Sequence, residues 1–214
     1  MKLATGAELR VTGTVGECAV VCVNGGQHRE VEGTWSPTVE WLVERLAPRL
    51  PELAFAEVRY RVKSWRRFDE CVADGAAALA EARSRGAEKV ALLGFSMGGA
   101  VAARIAADDV VTTVIGLAPW LPPQLELDAL AGRRVAILHG ALDAPLPGMP
   151  GVRPSISLEA AERARVAGAD VERTVIPGAV HAIALRSPRG ALVPMPRARR
   201  WAQLVGAELE RFCA

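Results

Sequence analysis

The sequence predicts a three-layer α/β fold, a mostly parallel central sheet with helices on both faces. Three observations carry that prediction. Short apolar runs alternate along the chain with longer stretches whose apolar residues recur at helical spacing, the respective signatures of strand and helix. Two of the runs, CAVVCV and KVALL, are apolar at nearly every position, as strands covered on both faces must be. Regular strand-helix-strand alternation needs crossover connections, which make successive strands parallel and put their helices on the sheet faces. With 214 residues, 50% of them hydrophobic, the chain can bury one substantial core and is too short to suggest several, so one domain over 1–214 is expected.

The elements follow in order. ELRVTGTV alternates apolar and polar side chains and reads as an exposed or antiparallel strand near one sheet edge, and CAVVCVNG as a buried strand. In TWSPTVEWLVERLAPRL, Ser36 and Pro37 start a helix with Val39, Leu42, Val43 and Leu46 at helical spacing. FAEVRYRV is a strand with Glu57, Arg59 and Arg61 on one face and Val58, Tyr60 and Val62 on the other, a polar-faced pattern that places it towards the sheet edge. RFDECVADGAAALAEARSRG is a helix ended by Gly86; KVALLGFS is a second buried strand and GGAVAARIAA a helix. VTTVIGLAP, RRVAILHGALD and DVERTVIPG are the remaining strands, joined by the short helix LELDALAG and the helix SLEAAERARVAG, and RARRWAQLVGAELERFCA is the closing helix. Two segments lack periodicity: APLPGMPGVRP at 144–154, whose four prolines argue for a fixed loop, and HAIALRSPRGALVPMP before the last helix.

Lysine and arginine number 26 against 24 aspartate and glutamate, a balance that gives no general electrostatic reason to expect nucleic acid or an anionic membrane as partner. The start, MKLATGAELRVTG, reaches Thr5, Gly6 and Glu8 before a signal-length apolar region builds up, and no apolar stretch is long enough to span a bilayer. A soluble, cytoplasmic protein is therefore expected. Cys18, Cys22, Cys71 and Cys213 lie outside any zinc spacing and read as reduced structural thiols.

Chemistry enters at GFSMGG, residues 94–99, between a buried strand and an alanine-rich helix. A serine at the centre of GxSxG sits on a turn so sharp that only glycine-sized neighbours avoid collision, and its hydroxyl is pushed out above the strand end. Ser96 is thus the candidate nucleophile. A glycine-rich turn that packs closely or binds an anion at a helix N-terminus is the plainer alternative. Serine needs a base to take its proton and a carboxylate to orient that base. Of three histidines, His28 precedes the elbow and His139 lies inside a strand where its ring should pack; His181, in a loop after the last strand, is the candidate base. Asp143, just past a buried strand, is the candidate acid, with Asp170 and Glu172 as runners-up at the opposite strand end. Oxyanion donors are expected from the backbone of Met97 and from the loop Asn24-Gly25-Gly26-Gln27, with Gly26 ahead of Gln27.

GFSMGG, LHGALDAPLP and PGAVHAI in this order resemble the α/β-hydrolase superfamily, and within it the small lidless members similar to dienelactone hydrolases and carboxylesterases. The resemblance spans nearly the whole chain. It implies a Ser96-His181-Asp143 triad, an acyl-enzyme mechanism and no metal or organic cofactor. Two departures stand out: Asn24-Gly25 replaces the His-Gly common after the first buried strand, and dienelactone hydrolase itself carries cysteine where this chain has Ser96. The latter points away from dienelactones and towards a general small ester or thioester.

LAPWLPPQLELDAL leaves little room for a cap, so no large lid and a shallow, open pocket are expected. Trp120 at a strand end, and Arg61, Lys63 and Trp65 leaving another, are candidate substrate contacts, the cations suited to an acidic small molecule, although such a run also suits a solvated rim. Acyl transfer, amide or carbon-carbon cleavage by the same triad, and a noncatalytic ligand-binding protein on the same scaffold, are the competing readings. A dinucleotide-binding fold is disfavoured because NGGQHREVEG has the wrong glycine spacing.

Overall fold

A computed structural model describes residues 1–145 and 151–214. The strands of the main sheet are β1 (Glu8–Thr12), β2 (Cys18–Val23), β3 (Ala54–Arg59), β4 (Lys89–Phe95), β5 (Val111–Leu117), β6 (Arg134–Gly140) and β7 (Asp170–Ile176). They lie in the order β1-β3-β2-β4-β5-β6-β7. Only the β1–β3 pair is antiparallel; the others run parallel. The helices are α1 (Pro37–Leu46), α2 (Phe68–Ser84), α3 (Met97–Ile105), α4 (Pro154–Val166) and α5 (Ala198–Cys213).

Strand alternation sorts side chains into two cores. Val21, Val23, Val90 and Leu92 meet α2, α3 and α4 on one face, while Val20, Cys22, Ala91 and Leu93 meet α1 and α5 on the other. Both sides of β2 and β4 are therefore dry, which is why their sequences are almost unbroken apolar runs. Ser36 caps α1 by accepting from the Val39 N–H at 3.4 Å, with Pro37 at the first helical position.

This topology positions the site. From β2 the chain crosses to β3 on one side and then returns to β4 on the other, so strand order reverses between β2 and β4. Loops leaving the carboxyl ends of two such strands diverge and open a crevice between them. Here those loops are Asn24–Gln27 and the elbow at Ser96.

The elements add three details to the sequence expectation. β3 lies towards the edge, second in the sheet beside β1, but Arg10 on β1 closes over Glu57 with contacts of 2.9 and 2.7 Å, so Glu57 on its polar face is buried under an ion pair. LELDALAG forms only a 3₁₀ turn, Asp128–Leu130. The pattern-free HAIALRSPRGALVPMP contains a hairpin of β8 (Ala184–Arg186) and β9 (Leu192–Pro194), tied to α1 because Thr38 Oγ1 accepts from the Ile183 N–H at 3.2 Å. Residues 118–133 hold no large lid among the described residues. Residues 146–150 of the expected proline-rich loop lie outside the described residues, and its last proline, Pro154, opens α4. No helix among those described is long and apolar enough to cross a membrane.

Candidate active site

The turn after β4 has the geometry its glycines allow. Ser96 has φ 55° and ψ −118°, a backbone conformation that costs an L-residue on the order of 1–3 kcal/mol and persists only where its surroundings enforce it. Those surroundings are tight. A Cβ on Gly94 would lie 2.4 Å from the Gly98 oxygen, and one on Gly98 would lie 2.3 Å from the Val23 oxygen. Backbone hydrogen bonds hold the serine from both sides, with its N–H on the Leu117 oxygen at 2.9 Å and its carbonyl accepting from Trp120 and Gly99, both at 2.9 Å.

Asp143 follows β6 on a turn closed by its own N–H to the Gly140 oxygen at 3.1 Å. Its carboxylate is buried and surrounded by donors. Oδ1 accepts from the Val152 N–H at 3.0 Å, and Oδ2 lies 2.7 Å from His181 Nδ1 and 3.1 Å from His139 Nε2. Burial pushes this carboxyl up, but the hydrogen bonds from His139 and His181, the His181 charge and the Val152 amide outweigh it and hold the group below its ordinary value. His181, in the loop after β7, is half-buried, with its ring centroid 5.0 Å from that of Phe95.

Ser96 and His181 line one cavity of about 770 Å³. Among the described residues no hydrogen bond joins the Ser96 hydroxyl to His181. The Asn24–Gln27 loop forms part of the wall, and its conformation is set by Asn24, whose side chain donates to the Thr34 oxygen at 3.0 Å and accepts from the Gly25 N–H at 2.7 Å. That bond uses the Gly25 amide and leaves Gly26 and Gln27 as the amides of interest. Gly26 is tied to the elbow by space: a Cβ there would meet Met97 Sδ at 2.3 Å. Met97 is fully buried and opens α3, where an N–H has no partner within its own helix.

Of the four residues considered for substrate contact, Lys63 lines the cavity. The others are engaged elsewhere. Arg61 is held by the buried Asp74, through its Nε at 2.8 Å and its backbone N–H at 3.0 Å. Trp65 and Trp120 pack edge to face with centroids 4.2 Å apart, against the core on the α2–α3 side. Burial alone lowers the Lys63 ammonium, which donates to Thr34 Oγ1 at 3.5 Å. Asp170 and Glu172 pair with Arg134 at 3.2 and 2.8 Å, at the amino end of β7. Sequence reasoning missed two further groups on the wall: the polar pair His28 and Arg29, and the apolar Leu142, Leu185 and Met195. Neither set has a local pattern that marks it.

A mostly parallel sheet crossed by an elbow serine, with an acid after β6 and a histidine after β7, defines an α/β hydrolase. The chain belongs to the dienelactone hydrolase family, whose family model matches residues 54–206. Similar solved structures include fungal esterases from Rhizomucor miehei, at 16% identity over 99% of this chain and 80% of that one, with a TM-score of 0.75. A phospholipase/carboxylesterase from Dyadobacter fermentans is 18% identical over 97% of each chain, with a TM-score of 0.65. An alpha-beta serine hydrolase homologue from Coxiella burnetii is 21% identical over 95% of this chain and 91% of its own, with a TM-score of 0.64. At these identities the likeness is one of fold. No curated protein matches the sequence.

Proposed function

We propose that this protein is a serine hydrolase that cleaves a small carboxylic ester or thioester through an acyl-enzyme. The observation that carries the reading is the 2.7 Å contact between His181 Nδ1 and Asp143 Oδ2, made beside a serine held at positive φ on the same cavity wall. A proton on Nδ1, directed at the carboxylate, leaves Nε2 as a lone pair. That nitrogen takes the Ser96 proton as Oγ attacks the carbonyl carbon, in a contact that tightens as the reacting complex forms. Asp143 stabilises the imidazolium, and the N–H groups of Met97 and Gly26, with Gln27 as the alternative to Gly26, receive the charge that develops on the carbonyl oxygen. His181 then protonates the leaving alcohol or thiol, and water, deprotonated by the same imidazole, releases the acid.

The wall also supports an acidic substrate. Lys63 is a half-buried cation whose ionised form burial disfavours and no neighbouring charge supports, so an anion in the cavity would relieve a standing cost. Lys63→Met should therefore raise the melting temperature slightly while cutting kcat/KM on a hemisuccinate ester by about 10–100-fold, the worth of one hydrogen bond to a charged group. Turnover of the matching neutral ester should be unchanged. Equal losses on both esters would remove Lys63 from substrate recognition.

The reading as a whole is tested by fluorophosphonate labelling of the purified protein together with p-nitrophenyl acetate turnover. Labelling at Ser96, read by peptide mass, is the expected result. A protein that is folded yet neither labels nor turns over would be a ligand-binding scaffold.

A further inference from the structure

His139 is the penultimate residue of β6 and has no exposed surface. It falls on the same face of the strand as Val135 and Ile137, which pack against the α2–α4 side. An apolar side chain would serve that position at lower cost. Its Nε2 lies 2.7 Å from the Val152 oxygen and 3.1 Å from Asp143 Oδ2, while its Nδ1 is buried without a hydrogen-bond partner among the described residues. Two oxygens around Nε2 require a proton there. A second proton on Nδ1 would be a buried donor with nothing to receive it, which costs about 1–3 kcal/mol or more. His139 is therefore a neutral imidazole fixed in its Nε2–H form.

The arrangement is a closed clasp. Val152 donates its N–H to Asp143 Oδ1, and its carbonyl accepts from His139, whose same N–H edge faces Asp143 Oδ2. We propose that His139 is a positioning residue: it anchors residue 152 against Asp143 and shares the negative charge on Oδ2, so that the carboxylate presents a fixed, tempered acceptor to His181. The proposal rests on the hydrolase reading above. Among the described residues no other side chain nearby could substitute for it. α4 turns Ser157, Ala160, Ala161 and Ala164 inward, none of them charged. The β5 segment beside this part of β6 is Leu117 and Ala118. On β7, Val175 pairs with His139, and the guanidinium of Arg173 is taken by Ser157 Oγ and the Pro154 oxygen at 3.1 and 2.8 Å. His181 is the titratable group on the remaining side.

Removing the His139 donor concentrates charge on the oxygen that His181 contacts. The imidazolium is then favoured more strongly, so His181 keeps its proton to higher pH and the acid limb of kcat/KM moves upward. Loss of the anchor at Val152 also loosens the acid and lowers kcat, with KM little changed.

The test uses three variants with intact folding checked by circular dichroism. Gln places an amide nitrogen near the position of Nε2, Asn places it near Nδ1, and Leu supplies no donor. His139→Leu and His139→Asn are expected to lose about 10–100-fold in kcat, the scale of one hydrogen bond to a charged group, and to shift the acid limb upward. His139→Gln should remain close to wild type in both. Nitrogen NMR of the His181 ring should show the same upward shift in Asn and Leu, without reference to turnover. Gln and Asn variants that behave alike, or an unmoved His181 titration in both Asn and Leu, would overturn the proposal. If Leu fails to fold, the Gln–Asn pair still decides it. Wild-type protein that is inactive and unlabelled would defeat the hydrolase reading separately, while the NMR titration would still judge the clasp.

Discussion

Ser96→Gly is expected to abolish turnover and raise the melting temperature together. The serine sits at φ 55° and ψ −118°, where any Cβ is strained by on the order of 1–3 kcal/mol. Glycine relieves that strain and gives back about 0.5–1 kcal/mol through its greater freedom in the unfolded chain. The net gain is about 1 kcal/mol, or roughly 2–4 °C for a chain of this size. Ser96→Ala keeps the Cβ and the strain, so its melting temperature should match wild type. Both variants lose the nucleophile, and kcat should fall by about 10⁴–10⁶-fold. Scanning calorimetry beside p-nitrophenyl acetate turnover separates the two effects. Turnover within tenfold of wild type in Ser96→Ala would place the nucleophile elsewhere, and a Gly variant no more stable than Ala would mean that the turn is not strained.

That divergence between stability and activity at one residue explains why the elbow was legible in the sequence at all. A buried strand ending in glycines around a serine conflicts with what packing alone would select, and such local conflicts mark functional positions. Asp143 and His181 were legible for a related reason: each follows a strand, and parallel strands deliver their following loops to one edge of the sheet. The structure brings these two side chains together and puts His181 on the cavity wall with Ser96. What sequence did not reveal depends on cross-chain geometry. Glu57 reads as solvent-facing until Arg10, on a strand 47 positions away, is placed over it. Arg61 and Trp65 seemed to continue β3 towards the site, but the strand stops at Arg59 and Asp74 on α2 captures Arg61. The β8–β9 hairpin is built of strands of three residues each, too short for alternation to register. His139 was rightly expected to be packed; its contact with Asp143 exists because the chain reverses at 141–142 and returns the acid beside it.

The other large effect is expected from Asp143→Asn. Among the described residues the groups that contact this carboxylate are donors: the Val152 N–H on Oδ1, and His181 with His139 on Oδ2. An asparagine amide must direct its NH₂ at one side or the other, so either orientation sets donor against donor. If it faces His181, that ring can escape the clash by moving its proton to Nε2, which leaves it unable to accept from Ser96. kcat should then fall by about 10⁴-fold, with KM nearly unchanged. Stability should fall as well, by about 1–3 kcal/mol for one buried donor left unmet. The pH dependence gives an independent check. Because the folded Asp143 carboxyl lies below its ordinary value, its contribution to stability is fully present above the unfolded pKa, about 3.9. It is lost as pH falls through the lower folded value. The melting-temperature gap between wild type and Asp143→Asn should thus narrow on acidification below about pH 4, as the carboxyl itself takes up its proton. A gap that widens in acid would mean that the carboxylate is destabilised where it sits, and the donors around it would not be holding a charge.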